Sequence, residues 1–148
     1  MTGTLKMTGT RAIAYIRTST LKQRLSPDAQ RARITAFATS QGIEVVGWEA
    51  DLGVSGATDL TKRPGLRAAL VWLVLEQASV LLVASDDRLA RGPLVSQRIR
   101  AAVSAAGAHV VAADADSPGH REFRLVVMTA VDAYIAAIQL NPEVYNEQ

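Results

Sequence analysis

The chain of 148 residues contains no cysteine. That absence excludes disulfides, thiol nucleophiles and thiolate metal centres, and nothing ties the chain to an oxidising compartment. A cytoplasmic location is the expectation. Histidine is nearly as scarce: His109 and His120 do not stand at zinc-ligand spacing, and a serine–histidine triad would have to recruit one of them. No apolar run is long and charge-free enough to cross a bilayer, and the opening MTGTLKMTGTR lacks the apolar centre of a signal peptide. No membrane partner is expected.

Aromatic residues make up only 5% of the chain, while 49% of it is hydrophobic. Ala, Val and Leu dominate, which suits helices packed on a parallel sheet better than a sandwich or barrel. The length fits one compact domain. Net charge is only +2, yet its distribution is uneven. Lys6, Arg11, Arg17, Lys22, Arg24, Arg31 and Arg33 share their stretch with a single acid, Asp28. Such a block suits phosphates, and it equally suits a solvated helix face.

The apolar run Ala12 to Ile16 reads as a strand buried on both faces. Ser26, Pro27 and Asp28 supply a cap, a first-turn proline and a first-turn acid, predicting a helix to about Gln41 that Gly42 ends. A second strand over 43–48 leads into the loop Asp51 to Gly56, and Arg63-Pro64-Gly65 opens a helix to about Gln77. A third strand over 80–84 ends in Ser85-Asp86-Asp87, and Pro93 opens a helix to about Ala106. A fourth strand over 110–113 precedes Ser117-Pro118 and a last helix through Leu140. Strand and helix thus alternate four times, which predicts an α/β fold: an open, mainly parallel sheet with helices on both faces. Ligands of such folds meet the carboxyl ends of the strands.

Three segments at those ends carry candidate chemistry. In Tyr15-Ile16-Arg17-Thr18-Ser19, extended backbone points residues two apart the same way, so Arg17 and Ser19 can address one phosphate. Asp51 to Arg63, DLGVSGATDLTKR, is a Gly-rich loop ending in two cations. In Asp87-Arg88-Leu89-Ala90-Arg91, the two arginines share one face of a helical turn beside a carboxylate. Taken singly, each has a plain structural explanation as a turn former, a surface loop or a surface ion pair.

In order and in combination these motifs resemble the catalytic domain of the serine site-specific recombinases, the resolvase/invertase family, from about Arg11 to about Val131. The residues that carry the likeness are Tyr15-Ile16-Arg17-Thr18-Ser19; Gln23, Ser26 and Gln30; Ser55-Gly56 with Arg63-Pro64-Gly65-Leu66; and Asp87-Arg88-Leu89-Ala90-Arg91. The resemblance implies a resolvase-like fold with a C-terminal helix over a domain of residues 11–140, between a leader of residues 1–10 without regular structure and a frayed tail of 141–148. It also implies DNA cleavage and rejoining with Ser19 as nucleophile, through a 5′-phosphoserine and without metal or other cofactor. Arg17, Arg88 and Arg91 would hold the phosphate, Asp87 would orient them or shuttle a proton, and Arg63 would add positive charge. Tyr15, Gln23, Gln30 and Ser55 would support the site. The implied assembly is a homodimer that forms a tetramer in synapsis.

Two departures stand out. Where the family's last helix carries a Glu-Arg pair, this chain has Ile135-Ala136, with Asp132 the nearest charge. No helix-turn-helix or zinc ribbon follows, so sequence-specific DNA recognition is expected to come from elsewhere. Two other readings therefore remain: a non-catalytic relative that pairs with full-length partners, and a Mg-dependent phosphoryl-transfer domain built on Asp51, Asp86, Asp87, Asp114 and Asp116.

Overall fold

The computed structural model describes residues 7–19 and 25–114. Gln23, Asp116, His120 and the expected last helix with Ile135-Ala136 lie outside the described residues. Four strands form one parallel sheet: β1 (Arg11–Thr18), β2 (Glu44–Leu52), β3 (Val80–Val83) and β4 (His109–Ala112), in the order β2-β1-β3-β4. The helices between them are α1 (Pro27–Gln41), α2 (Pro64–Leu75), the single turn α3 (Asp86–Leu89) and α4 (Pro93–Ala105). A 3₁₀ turn over Leu60–Lys62 precedes α2. Among the described residues no helix is long and apolar enough to cross a membrane.

Local chemistry sets the helix limits. Ser26 accepts a hydrogen bond from the Ala29 amide at 3.1 Å, Pro27 occupies the first turn, and Gly42 ends α1 with φ +74°. A side chain at Gly42 would also press on Thr8. On one face of the sheet, Ile13 and Tyr15 of β1 join Leu66, Ala69 and Leu73 of α2 and Ile99 and Val103 of α4 in a continuous apolar core. Ala12, Ala14 and Ile16 alternate to the other face, the side on which α1 buries Ile34 and Phe37. All four residues of β3 are buried, as expected of a central parallel strand.

The strand order places the topological switch between β1 and β3, because the chain leaves β1 for β2 on one side and returns to the other. Pairing of β1 with β3 runs only from Ala12 to Ala14, whereas pairing with β2 continues to Thr18. Beyond Ala14 the two central strands therefore part. Gln30 of α1 fills the missing place in the ladder: its amide accepts from the Arg17 N–H at 3.4 Å and donates to the Arg17 carbonyl at 3.0 Å and the Leu25 carbonyl at 3.0 Å. A fully buried glutamine thus satisfies backbone that no strand reaches.

Candidate active site

At the crevice where β1 and β3 part, three arginines sink into the protein: Arg17 is 1% exposed, Arg63 0% and Arg88 4%. Arg17 sits near the end of β1 and ties the loop at Val54 to the α3 turn. Its Nε donates to the Arg88 carbonyl at 3.0 Å, Nη1 to the Val54 carbonyl at 2.7 Å and Nη2 to the Asp87 carbonyl at 2.8 Å. Thr18 pins the same loop, its Oγ1 accepting from the Gly53 amide at 3.3 Å and its carbonyl from the Val54 amide at 2.8 Å. Gly56 lies against the guanidinium; a Cβ there would fall 3.0 Å from Arg17 Nη2 and 3.0 Å from Arg91 Cγ. The Arg91 amide donates to the Gly56 carbonyl at 2.9 Å. The Gly-rich loop, the strand end and the Asp-Arg-Leu-x-Arg turn therefore form one assembly.

Arg63 stands immediately before α2 and reaches back to Tyr15, whose hydroxyl accepts from Nη2 at 3.0 Å and Nε at 3.3 Å. Tyr15 in turn donates to Asp51 at 2.7 Å. Asp51 also accepts from the Gly65 amide at 2.7 Å and the Leu66 amide at 2.9 Å, so a strand carboxylate satisfies the first amides of α2. Only glycine fits at 65, where a Cβ would fall 2.3 Å from the Ala50 carbonyl oxygen.

The charges are unbalanced. Among the described residues, the ion pairs are Arg11–Glu76, Arg98–Asp59 and Arg100–Asp86, and none includes a buried arginine. Among the described residues, Arg63 Nη1, Arg88 Nε and Arg11 Nε are buried without a hydrogen-bond partner, and of the three arginines only Arg11 also makes an ion pair. Burial, and then the charges of Arg63 and Arg88, lower the pKa of Arg17. Tyr15 is pushed well above the usual phenol range by burial, with Asp51 adding and Arg63 opposing. For Asp87 burial acts upward, but a hydrogen bond from Ser85 and the Arg88 charge outweigh it and lower the pKa. Buried cations normally carry an anionic partner. The fork-shaped donors of such a cluster have the geometry that suits a phosphate.

The family model for the resolvase N-terminal domain matches residues 12–141. The chain belongs to the resolvase family. Among solved structures, the catalytic domain of IS1535 TnpA, an IS607-like serine recombinase, is 32% identical with a TM-score of 0.53, the match covering 83% of this chain and 98% of that one. The catalytic domain of ISC1926 TnpA, another IS607-like serine recombinase, is 27% identical with a TM-score of 0.57, covering 80% of this chain and 79% of that one. The N-terminal catalytic domain of the TP901-1 integrase shares the fold at 22% identity, with a TM-score of 0.62 and coverage of 86% and 98%. No curated protein matches the chain in sequence.

Against this resolvase frame, the residues singled out from sequence fall into three groups. Tyr15, Arg17, Arg63, Asp87 and Arg88 converge, with Gln30 behind Arg17 and Arg91 on the exposed rim beside Gly56. Ser19 lies one residue past the end of β1, half-buried. Ser55 is exposed and spends its hydroxyl on the Ala57 amide at 3.2 Å, shaping the turn. Asp87 touches Arg17 through its backbone carbonyl, while its carboxylate accepts from Ser85 Oγ at 2.5 Å. Asp51, weighed from sequence only as a metal ligand, instead takes three protein donors, and no acidic or histidine cluster able to hold a metal occurs among the described residues. Its one sequence signal was a lone carboxylate at a strand end, facing the same side of the sheet as Tyr15.

Proposed function

We propose that this chain is the catalytic unit of a serine recombinase, with Ser19 as the nucleophile toward a DNA phosphodiester. The Ser19 Oγ–P bond forms as the P–O3′ bond breaks; the serine loses its proton and the departing 3′ oxygen gains one. The products are a 5′-phosphoserine and a free 3′-hydroxyl. Attack by a 3′-hydroxyl on the phosphoserine reverses the step and reseals a strand. One phosphate ester replaces another, so neither water nor ATP is consumed.

The observation that carries this reading is the set of buried arginines, without ion pairs among the described residues, gathered where β3 parts from β1, the strand that leads into Ser19. Negative charge grows on the non-bridging oxygens in the pentacovalent state, and preoriented donors in a dry site stabilise it. Arg88 and Arg91 hold the phosphate. Arg17 uses three of its five N–H groups on carbonyls, which leaves two for the same phosphate. Asp87, with its lowered pKa, suits orienting a donor better than carrying a proton near neutral pH. Arg63 adds charge, and Tyr15, Gln23, Gln30 and Ser55 support the arrangement. Each chain supplies one Ser19, so cutting both strands of a duplex takes a homodimer, and exchanging two duplexes takes a tetramer. Cytoplasmic DNA is the substrate.

The test fuses the chain to a DNA-binding module of known site and supplies that site in supercoiled DNA. Protein covalently joined to cut 5′ ends, resistant to chelator and absent in Ser19→Ala, is the expected result. A folded, site-bound fusion that forms no adduct would replace this reading with that of a non-catalytic partner domain.

A further inference from the structure

Ser26 and Ser85 each stand just before a helix, and they use their hydroxyls differently. Ser26 accepts from the Ala29 amide at 3.1 Å, the usual work of a serine at that position. Ser85 precedes α3 and its hydroxyl makes no such bond; only its backbone carbonyl takes part, accepting from the Arg88 amide at 3.1 Å. The Ser85 hydroxyl donates instead to the Asp87 carboxylate, Oγ to Oδ1 at 2.5 Å. A hydroxyl has one proton to give and an ionised carboxylate only accepts, so that proton is committed to Asp87 in a short, charge-assisted bond.

The cations that Asp87 could pair with are close. Arg88 follows it in the chain, is 4% exposed and leaves Nε buried without a partner. Arg17 Nη2 reaches the Asp87 backbone carbonyl at 2.8 Å. Burial acts upward on the Asp87 pKa, but the Ser85 hydrogen bond and then the charges of Arg88 and Arg17 bring it down, so both cations act on its carboxylate. A carboxylate partner helps to offset the desolvation of a buried guanidinium. Among the described residues, however, Asp87 makes no ion pair with either arginine. The other acid of the turn, Asp86, is engaged elsewhere, accepting from Arg100 Nη2 at 3.2 Å.

We propose that Ser85 is a positioning residue of the recombinase site: by holding the Asp87 carboxylate it keeps that group from pairing with Arg88, whose guanidinium is thereby left for the substrate's phosphate. This rests on the serine recombinase reading above and adds a residue to it. The plain alternative is that the hydroxyl only shapes the turn between β3 and α3. The two differ in what Ser85→Ala does. A turn-shaping role removes a donor from Asp87, raises its pKa and leaves Arg88 as it was. A holding role frees the carboxylate to turn onto Arg88, which exchanges one favourable partner for another and gives the Nε–H an acceptor.

The experiment titrates the Asp87 carboxyl by 13C NMR and follows the Arg88 Nε–H signal in the full chain labelled with 15N-arginine. The two signals are assigned by their absence in Asp87→Asn and Arg88→Lys. In Ser85→Ala the Asp87 pKa is expected to stay at or below its wild-type position, and exchange of the Arg88 Nε–H with water to slow by roughly tenfold. In the fused protein, adduct formation is expected to fall by roughly tenfold to a hundredfold with the melting temperature unchanged. Ser85→Thr keeps the hydroxyl and should behave as wild type in every measurement. A raised Asp87 pKa or an unchanged Arg88 exchange rate in Ser85→Ala overturns the proposal. Should Ser85→Ala not fold, Ser85→Cys, which keeps the size and weakens the donor, is read by the same two signals. A wild-type fusion that forms no adduct would sink the recombinase reading, while the two signals would still decide whether Ser85 holds Asp87 off Arg88.

Discussion

Two populations of arginine occupy this molecule, and they differ in what neutralises them. Arg11, Arg98 and Arg100, whose side chains are 41% to 64% exposed, each meet a carboxylate in a direct ion pair. Arg17, Arg63 and Arg88 are buried, and their partners among the described residues are backbone carbonyls, one phenol oxygen, or nothing. Folding alone would favour the reverse, because desolvating a cation costs several kcal/mol that a carboxylate partner helps to offset. Among the described residues none of the three makes a direct ion pair, although the Asp87 carboxylate lies near enough to feel the charges of Arg88 and Arg17. The difference teaches that the exposed set is surface chemistry, whereas the buried set is the one on which the proposed phosphate site rests.

Arg88→Met is the sharpest way to break that contrast. It keeps the bulk of the side chain and removes a buried cation whose Nε has no partner. Adduct formation in the fused protein is expected to fall by roughly 100- to 1,000-fold, while unfolding in urea shows stability unchanged or raised by about 1 kcal/mol. A loss of activity matched by a loss of stability would make Arg88 an ordinary structural residue.

Gln30→Ala tests the frame that holds the buried set. It strips the partner from the Arg17 N–H and carbonyl at the point where β1 and β3 part, and unfolding in urea should show a loss of about 2–4 kcal/mol. A smaller loss would mean that water replaces the glutamine, and that the crevice is wetter than its geometry indicates.

Tyr15 couples the buried set to pH. Its folded pKa is raised above the unfolded value of about 10, so its contribution to stability is complete below that pH and is lost as pH rises from there toward the folded value. Wild type should therefore lose about 1 kcal/mol relative to Tyr15→Phe between pH 10 and 11, measured by urea unfolding at each pH. A constant difference across that interval would mean that the phenol ionises normally in the folded protein.

Much of the fold was legible in the sequence, but not this contrast. Strand and helix alternated visibly because β1 and β3 are nearly continuous apolar runs and the helix starts carry Ser26-Pro27, Pro64 and Pro93. The end of α1 at Gln41 followed from Gly42. The second strand proved longer than its apolar stretch, running to Leu52, because pairing with β1 continues through Glu49, Ala50 and Asp51, whose composition reads as loop. The motifs flagged Arg17, Arg63 and Arg88 by spacing, yet spacing says nothing of burial, and a buried arginine looks like a surface one in a string of letters. What satisfies Arg17 is three carbonyls, and carbonyls have no sequence signature. Asp51 escaped for a related reason: its partners are a tyrosine 36 residues away and two amides 14 and 15 residues away.

The smallest expected effect belongs to the exposed set. Arg11 pairs with Glu76 at 2.8 Å, linking the start of β1 to the turn after α2, with its side chain 42% exposed. It stands six residues before Arg17 on the same strand, about 20 Å away along extended backbone. An exposed pair of this kind contributes little, because water screens the attraction and two long side chains lose freedom to hold one geometry. Arg11→Met should cost about 0–1 kcal/mol in urea unfolding, a difference that shrinks further as salt is raised and screening shortens the reach of the pair. Adduct formation should stay at the wild-type level. A fall in adduct formation comparable to that of Arg88→Met would erase the distinction between the two populations, since it would show that the site depends on charge summed over the whole domain rather than on the few guanidiniums gathered where β1 and β3 part.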